Sequence, residues 1–121
     1  MKEQSKRQYQ VGELIKRTLS TMFMEGLFEE KIKAMFSITE VSPSPGYQTA
    51  WVFVSAFDAT KNDELVKALN SISSEIRYEL ASRVNMRFTP ALIFKYDNSM
   101  EYADRIEELL NSPEVKKDLE N

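Results

Sequence analysis

The first strong pattern along the chain is a stripe of apolar or small residues at the spacing of one helix face. Its members are Val11, Leu14, Ile15, Thr18, Leu19, Met22 and Phe23. Ser5 followed by Gln8 matches a capping box at the start, and Gly26 is placed to end the helix in a left-handed turn. The pattern therefore predicts a helix over about residues 6–25.

Two segments rich in β-branched and aromatic residues follow, at residues 35–41 and 47–57. This composition is typical of strands. The segment between them reads Ser42-Pro43-Ser44-Pro45-Gly46. A connection this short favours an antiparallel pair, because parallel neighbours need a dozen or more connecting residues. We therefore expect a β-hairpin.

Helical spacing returns at Leu65, Leu69, Ile72, Ile76, Leu80 and Val84. Thr60 or Asn62 is available to cap the start of this region, and Asn85 could end it in a left-handed conformation. Three serines crowd its middle at positions 71, 73 and 74. Serine hydroxyls that bond back to the preceding turn weaken or bend helices, so the sequence predicts a bend between Ser71 and Ser74.

A third strand and a short final helix complete the predicted order. Pro90 disfavours helix at Thr89, and an apolar face then alternates with other residues through Leu92, Phe94 and Tyr96. Helical spacing reappears at Tyr102, Ile106, Leu109 and Leu110. The predicted order is α-β-β-α-α-β-α, an α+β domain over residues 1–110 with a polar tail at residues 111–121.

Length and composition narrow the class of protein. A chain of 121 residues with 42% hydrophobic and 29% charged residues fits one compact domain, which we expect to be a monomer. Cysteine and histidine are both absent, which removes the commonest metal ligands, nucleophiles and general bases. No apolar run approaches the roughly 20 residues that span a bilayer. These features predict a cytoplasmic protein that is not an enzyme and holds no cofactor or metal.

The charge of the chain is unevenly distributed. The net charge is −3, yet residues 1–96 carry 13 Lys and Arg against 11 Asp and Glu, whereas residues 97–121 carry 3 against 8. Nucleic-acid binding requires a local concentration of basic residues rather than a basic total. The distribution therefore permits a basic surface on the body of the domain, although an acidic C-terminal segment by itself is usually only a solvated surface.

Several local motifs resemble the ribosome-binding factor A family. They are residues 38–43 (ITEVSP), 50–55 (AWVFVS), 68–71 (ALNS), 76–80 (IRYEL), 87–94 (RFTPALIF) and 96–99 (YDNS), with Tyr102, Arg105, Ile106, Leu109 and Leu110. The resemblance covers about residues 7–110. It implies a type II KH-like fold, with a three-stranded sheet and a kinked pair of helices, and a factor that binds immature small ribosomal subunits and assists late 16S rRNA maturation, often linked to growth in the cold.

Three local departures from the expected patterns concern the nucleic-acid contacts. The Gly-x-x-Gly loop with which KH domains clamp a nucleic-acid backbone is absent, since the chain has only Gly12, Gly26 and Gly46. The family's Ala-x-Gly kink reads Ile72-Ser73-Ser74 here. Serine can bend a helix and offer a hydroxyl to phosphate, but it does not allow the close backbone approach that glycine allows. The family's Asp-Pro-Arg after the first helix reads Glu29-Glu30-Lys31.

Candidate RNA-binding residues lie on the first helix and around the predicted kink. They are Lys6, Arg7, Lys16, Arg17, Ser73, Ser74, Arg77, Arg83 and Arg87. Lys6, Gln10, Glu13 and Arg17 share the exposed face of the first helix, and Arg83 in a last helical turn complements the macrodipole. Arg87 is expected to project opposite Met86 and Phe88. The alternative for the arginines is ion pairing with Glu75, Glu79 or the acidic segment.

The aromatic residues and the acidic segment leave other readings open. Trp51, Phe53, Phe57, Phe94 and Tyr96 could stack on bases, but a sheet covered by helices favours core packing for them, with Tyr47 expected to be the most exposed. The alternative function is a protein-protein adapter, in which the acidic segment or the hairpin edge binds a ribosomal protein or an assembly GTPase.

Overall fold

The structure, a computed structural model, describes residues 4–97. Its elements are helix α1 (Lys6–Met24), strands β1 (Phe36–Pro43) and β2 (Thr49–Ala56), a 3₁₀ turn (Ala59–Lys61), helices α2 (Asn62–Ser71) and α3 (Ser73–Arg83), and strand β3 (Ala91–Tyr96). The predicted order is confirmed as far as β3. The predicted C-terminal helix and the predicted tail lie outside the described residues.

The three strands form one mixed sheet in the order β1-β2-β3. β1 and β2 pair antiparallel, which confirms the hairpin, with a bulge between Ile38 and Glu40. β3 pairs parallel to β2, with Leu92 beside Ala50 and Phe94 beside Val52. Parallel pairing requires a long crossover, and the two helices α2 and α3 provide it.

One face of the sheet carries the three helices of residues 4–97, and the core lies between these two layers. Alternate β2 residues are buried against the helices, from Ala50 to Ala56, as expected for strands with one covered face. The largest fully buried side chains are Phe94, Ile15, Leu19, Met22, Leu69, Ile76, Leu80, Val52 and Val54. The predicted core positions of α2 and α3 are therefore confirmed.

Helix α1 begins and ends where the sequence predicts, but it is rotated from its predicted orientation. The capping box is present, since the Gln8 backbone N–H donates to Ser5 Oγ and the Ser5 N–H donates to Gln8 Oε1. Gly26 has φ of +85°, as predicted. Leu14, predicted to face the core, is 37% exposed, whereas Gly12 is buried. A Cβ built on Gly12 would lie 2.5 Å from the carbonyl oxygen of Val41, so the absent side chain lets α1 approach β1.

The predicted break in the second helical region occurs at Ile72. This residue has φ of −115° and ψ of 19°, and it ends α2 and precedes α3. Ser71 Oγ donates to the Ala68 carbonyl oxygen at 2.6 Å, which is the back-bonding expected of serine near a bend. Ile72 itself is buried, so the break keeps its side chain in the core while the chain changes direction.

Two end signals were predicted wrongly. Asn85 does not adopt the left-handed conformation, because among residues 4–97 only Phe28 and Tyr47 are non-glycine residues with positive φ; α3 ends at Val84 in an extended conformation. Neither Thr60 nor Asn62 caps α2. Asn62 is instead buried, and its Oδ1 accepts from the Ala56 N–H at 2.9 Å, which ties the start of α2 to the end of β2.

Candidate RNA-binding surface

Three of the predicted residues line one groove between α3 and the loop that follows it. The groove has a volume of about 480 Å³, and Ser74, Arg77 and Arg87 contribute to its walls. Two aromatic residues, Tyr78 and Phe88, line it as well. We name this feature the α3 groove. It brings together hydroxyl, guanidinium and aromatic groups from two segments that are separate in sequence.

Arg77 fixes the loop side of the α3 groove. Its Nε and Nη2 both donate to the carbonyl oxygen of Thr89, at 2.9 and 2.7 Å. Thr89 is buried, and Pro90 after it has no N–H to offer. A charged donor pair on one carbonyl is a strong interaction, so Arg77 holds the loop against α3. Its Nη1 has no partner among residues 4–97 and remains available to a ligand.

Arg87 has a different environment in the same groove. It is exposed and makes no hydrogen bond or ion pair with any residue between 4 and 97. Arg87 was expected to project opposite Met86 and Phe88 from an extended stretch; residues 87 and 88 instead form a bend, and all three residues line the α3 groove. The loop is not an extended strand at this point, so the two-residue alternation of a strand does not apply to it.

Arg83 is engaged in two ion pairs. Its Nη2 lies 2.7 Å from Glu25 Oε2, at the end of α1, and its Nε lies 2.9 Å from Glu79 Oε1, one turn earlier on α3. The hydrogen bond from Arg83 lowers the pKa of Glu25, and the two carboxylates raise the pKa of Arg83. The alternative of an ion pair with Glu79 is therefore present in the structure, whereas the pairing with Glu25 was not predicted. Glu75, another predicted partner, pairs instead with Lys31 at 2.7 Å.

The basic residues of α1 lie outside the α3 groove. Lys6 lines a separate groove of about 950 Å³ beside Trp51 and Phe53. Arg7 and Arg17 are exposed and Lys16 is half-buried. No ion pair joins any of these four residues to another part of the described chain. The predicted exposed face of α1 is confirmed, but its cations do not share one cavity with those of α3.

The serines at the break are oriented differently. Ser73 is half-buried, while Ser74 is exposed and lines the α3 groove. Neither hydroxyl has a hydrogen-bond partner within residues 4–97. Ser74 is thus the member of the pair that shares a groove with Arg77 and Arg87.

The aromatic residues singled out from the sequence are mostly structural. Phe94 is buried, with 1% exposure, and Trp51 and Phe53 are half-buried on the sheet face opposite helices α1 to α3. Tyr47, expected to be the most exposed, is half-buried in the hairpin turn with φ of 57°. Among those considered, Phe57 is the exposed one, at 77%.

Sequence reasoning missed the two aromatics of the α3 groove. Tyr78 is 81% exposed and Phe88 is 54% exposed. The position of Tyr78 carried a usable signal, because it lies between Ile76 and Leu80 of the buried stripe and must point away from the core on a regular helix. Phe88 carried no such signal, since it belongs to a loop without a repeating pattern.

Comparison with known proteins places the chain in a family. The family model described as Ribosome-binding factor A matches residues 7–110. A ribosome-binding factor A from Caldanaerobacter subterraneus is 34% identical over 111 residues, covering 91% of each chain. One from Caldicellulosiruptor saccharolyticus is 37% identical over 120 residues, covering 97% of this chain and 89% of the relative.

Solved structures agree with the fold. The crystal structure of ribosome-binding factor A from Thermus thermophilus matches with a TM-score of 0.63 at 24% identity, covering 74% of this chain and 94% of that one. A Thermus thermophilus ribosome binding factor A homology model, fitted into a cryo-EM map of a 30S complex, matches with a TM-score of 0.57 at 25% identity, covering 70% and 89%. The α+β, type II KH-like architecture is thereby confirmed, and the chain belongs to the ribosome-binding factor A family.

Proposed function

We propose that this protein is a non-catalytic assembly factor that binds 16S rRNA in the immature small ribosomal subunit and assists its late maturation. The observation that carries the proposal is membership of the ribosome-binding factor A family over residues 7–110. The fitting of a related Thermus thermophilus model into the map of a 30S complex supports the same partner. We further propose that the protein acts in the cytoplasm as a monomer, with a role in growth in the cold.

Phosphate contacts are the proposed source of affinity. Lys6, Arg7, Arg17 and Arg87 are exposed and pair with no carboxylate among residues 4–97, and Lys16 adds a half-buried ammonium. Such cations bind phosphate without first leaving a protein partner, and each contact releases counterions from the RNA. Arg83 is already held by two carboxylates, so we assign it the role of positioning α3 against α1.

The break at Ile72 takes the place of a Gly-x-x-Gly loop in this proposal. α3 begins directly after the break, and Ser74 and Arg77 line the groove beside that helix. We expect the Ser74 hydroxyl and the Arg77 guanidinium to reach a backbone phosphate as side chains, whereas glycine would let the protein backbone itself approach closely. We expect contacts to shape and phosphate to dominate over base identity on this surface.

Catalysis has little support in the described residues. The sequence contains neither histidine nor cysteine, and residues 4–97 contain no group of three acidic side chains placed to hold a metal ion. No helix in that part of the chain is long and apolar enough to cross a membrane. A binding role that requires only shape and charge agrees with these features.

Binding to labelled immature small subunits at several salt concentrations tests the proposal. Direct phosphate binding predicts that log K falls linearly with log salt, and that Arg87→Ala makes the slope shallower by roughly 0.7 to 0.9 unit for its one contact. Lys95→Ala is the matched control, because Lys95 is an exposed cation on the sheet face opposite helices α1 to α3. A salt-insensitive affinity, or crosslinks that reach only ribosomal proteins, would favour the adapter function instead.

A further inference from the structure

The α3 groove contains two exposed aromatic rings that the fold does not require. Tyr78 is 81% exposed and Phe88 is 54% exposed, and neither ring pairs with another aromatic ring of residues 4–97. Rings with this much exposed surface contribute little to a core. An exposed pair of rings within one groove is instead a typical sign of a binding site.

The remaining lining of the groove indicates the charge of the occupant. Arg77 and Arg87 contribute two guanidinium groups, and no carboxylate of residues 4–97 lines the groove. The Arg77 Nη1 and the whole Arg87 guanidinium have no partner among the described residues. A ligand that fits this lining has a flat unsaturated ring beside a negative charge. A nucleotide has this combination, because its base can stack on an aromatic ring while its phosphate binds arginine.

We propose that the α3 groove binds one unstacked nucleotide of single-stranded RNA, with the base on Tyr78 and Phe88 and the phosphate on Arg87. This inference rests on the proposed function and adds a site for a single-stranded segment. Bases within a double helix are stacked on their neighbours, so only a loop, bulge or end presents a free base face. The two hydrogen bonds from Arg77 to Thr89 hold Phe88 beside α3 before RNA arrives, which reduces the ordering cost of binding.

The decisive variant removes both rings while keeping the arginines. Tyr78→Ser with Phe88→Ser should fold as the wild type does, because both rings are exposed. We expect its affinity for immature subunits to fall by about fivefold to 150-fold, the effect of losing one base–aromatic stack, with an unchanged salt slope. Arg87→Ala should instead make the slope shallower. Phe57→Ser is the matched control, since Phe57 is 77% exposed and lines a different groove.

Conservative variants separate stacking from general apolar contact. Tyr78→Phe and Phe88→Tyr keep both ring faces and should bind as the wild type does, whereas Phe88→Leu keeps an apolar side chain and should still weaken binding. If a serine variant loses its cooperative unfolding transition, these single conservative changes are used in its place, because their side chains have volumes similar to those of the original residues. Equal weakening by Phe88→Leu and Phe88→Tyr would contradict stacking.

The nature of the occupant is tested with RNA alone. The full-length ¹⁵N-labelled protein is titrated with single-stranded octaadenylate and with an RNA duplex of the same length. We expect amide shifts at Tyr78, Arg87 and Phe88 with the single strand only. Subunit binding by the Tyr78→Ser, Phe88→Ser variant that equals the wild type would overturn the inference. So would weakened subunit binding without any octaadenylate effect, because the groove would then hold a protein segment. If the wild type itself binds subunits without salt dependence, the proposed function fails first.

Discussion

Replacing Gly12 with alanine adds one methyl group at the closest contact between α1 and the sheet. The new Cβ would lie 2.5 Å from the Val41 carbonyl oxygen and 3.2 Å from Pro43 Cδ. The first distance is well inside van der Waals contact, and the oxygen belongs to a strand backbone that is paired with β2. α1 must therefore move away from β1, because the carbonyl has no freedom to rotate aside.

The expected effect on stability is the difference between two terms. Alanine favours an exposed helix interior over glycine by about 1 kcal/mol. Overpacking a core contact costs about 1 to 3 kcal/mol, and the displaced helix carries Ile15, Leu19 and Met22, each with 0% exposure. Because three fully buried side chains move together, we place the packing cost at the upper end. The net free energy of unfolding should fall by about 2 kcal/mol, or roughly 8 °C in Tm for a chain of 121 residues.

Urea and thermal unfolding followed by circular dichroism measure this change. Gly46→Ala is the control, because a Cβ there meets only Gln48 Cγ at 4.0 Å; its stability should stay the same or rise slightly as the unfolded chain loses freedom. A Gly12→Ala variant that is as stable as the wild type, or more stable, would show that α1 does not depend on this contact. The position would then behave as an ordinary helical glycine.

Three further changes test contacts that fix the elements around the core. Arg77→Ala removes both donors to the Thr89 carbonyl oxygen and should lower the free energy of unfolding by about 1 to 2 kcal/mol. Amide hydrogen exchange at residues 86–89 should become faster. Unchanged exchange there would contradict the role of Arg77. Asn70 accepts from the Phe94 N–H and donates to the Phe94 carbonyl, so Asn70→Asp keeps the first bond and loses the second. The substitution should lower the free energy of unfolding by about 1 to 3 kcal/mol at pH 7. This loss of stability should shrink below about pH 5, because the new carboxyl gains a proton to donate. A loss that does not change with pH in urea titrations would refute this account. Arg83→Met should be less stable than the wild type at pH 7 because Arg83 lowers the pKa of Glu25. A carboxyl group whose pKa is lowered by folding stabilises the folded protein at a pH above its unfolded pKa. This stabilisation is lost as the pH falls through the folded pKa. The two proteins should therefore converge as pH falls through the lowered pKa of Glu25, and a stability difference at pH 2.5 as large as that at pH 7 would contradict this.

Local periodicity predicted the elements because periodicity reports which side chains are buried. Ile76 and Leu80 lie on one face of any regular helix, and both are fully buried in α3. The break at Ile72 was also predictable, because Ser71 competes for backbone hydrogen bonds within its own turn. Signals of this kind depend on neighbours within about one helical turn, so they can be recognised from the sequence alone.

Contacts between distant segments were not predictable in this way. Glu25 and Arg83 are 58 positions apart, and no local pattern indicates that the two helix ends meet. No local pattern marks Gly12, yet it sets how the helix faces β1 and therefore why Leu14 is exposed. The loop after α3 was not predictable for the same reason. Which of its residues are buried depends on the Arg77 hydrogen bonds and follows no sequence repeat.

The available charge of the helix surface depends on ion pairing more than on the count of basic residues. Arg83 would have to leave Glu25 and Glu79, at 2.7 and 2.9 Å, before it could donate fully to a phosphate. Arg87 has no partner within residues 4–97 that it would have to leave. Since the salt slope counts phosphates newly neutralised by the protein, Arg87→Ala should make it shallower, whereas Arg83→Met should leave it nearly unchanged and act through stability. The two arginines occur four residues apart in the sequence, and their ion-pair partners determine which of them contributes to the salt slope.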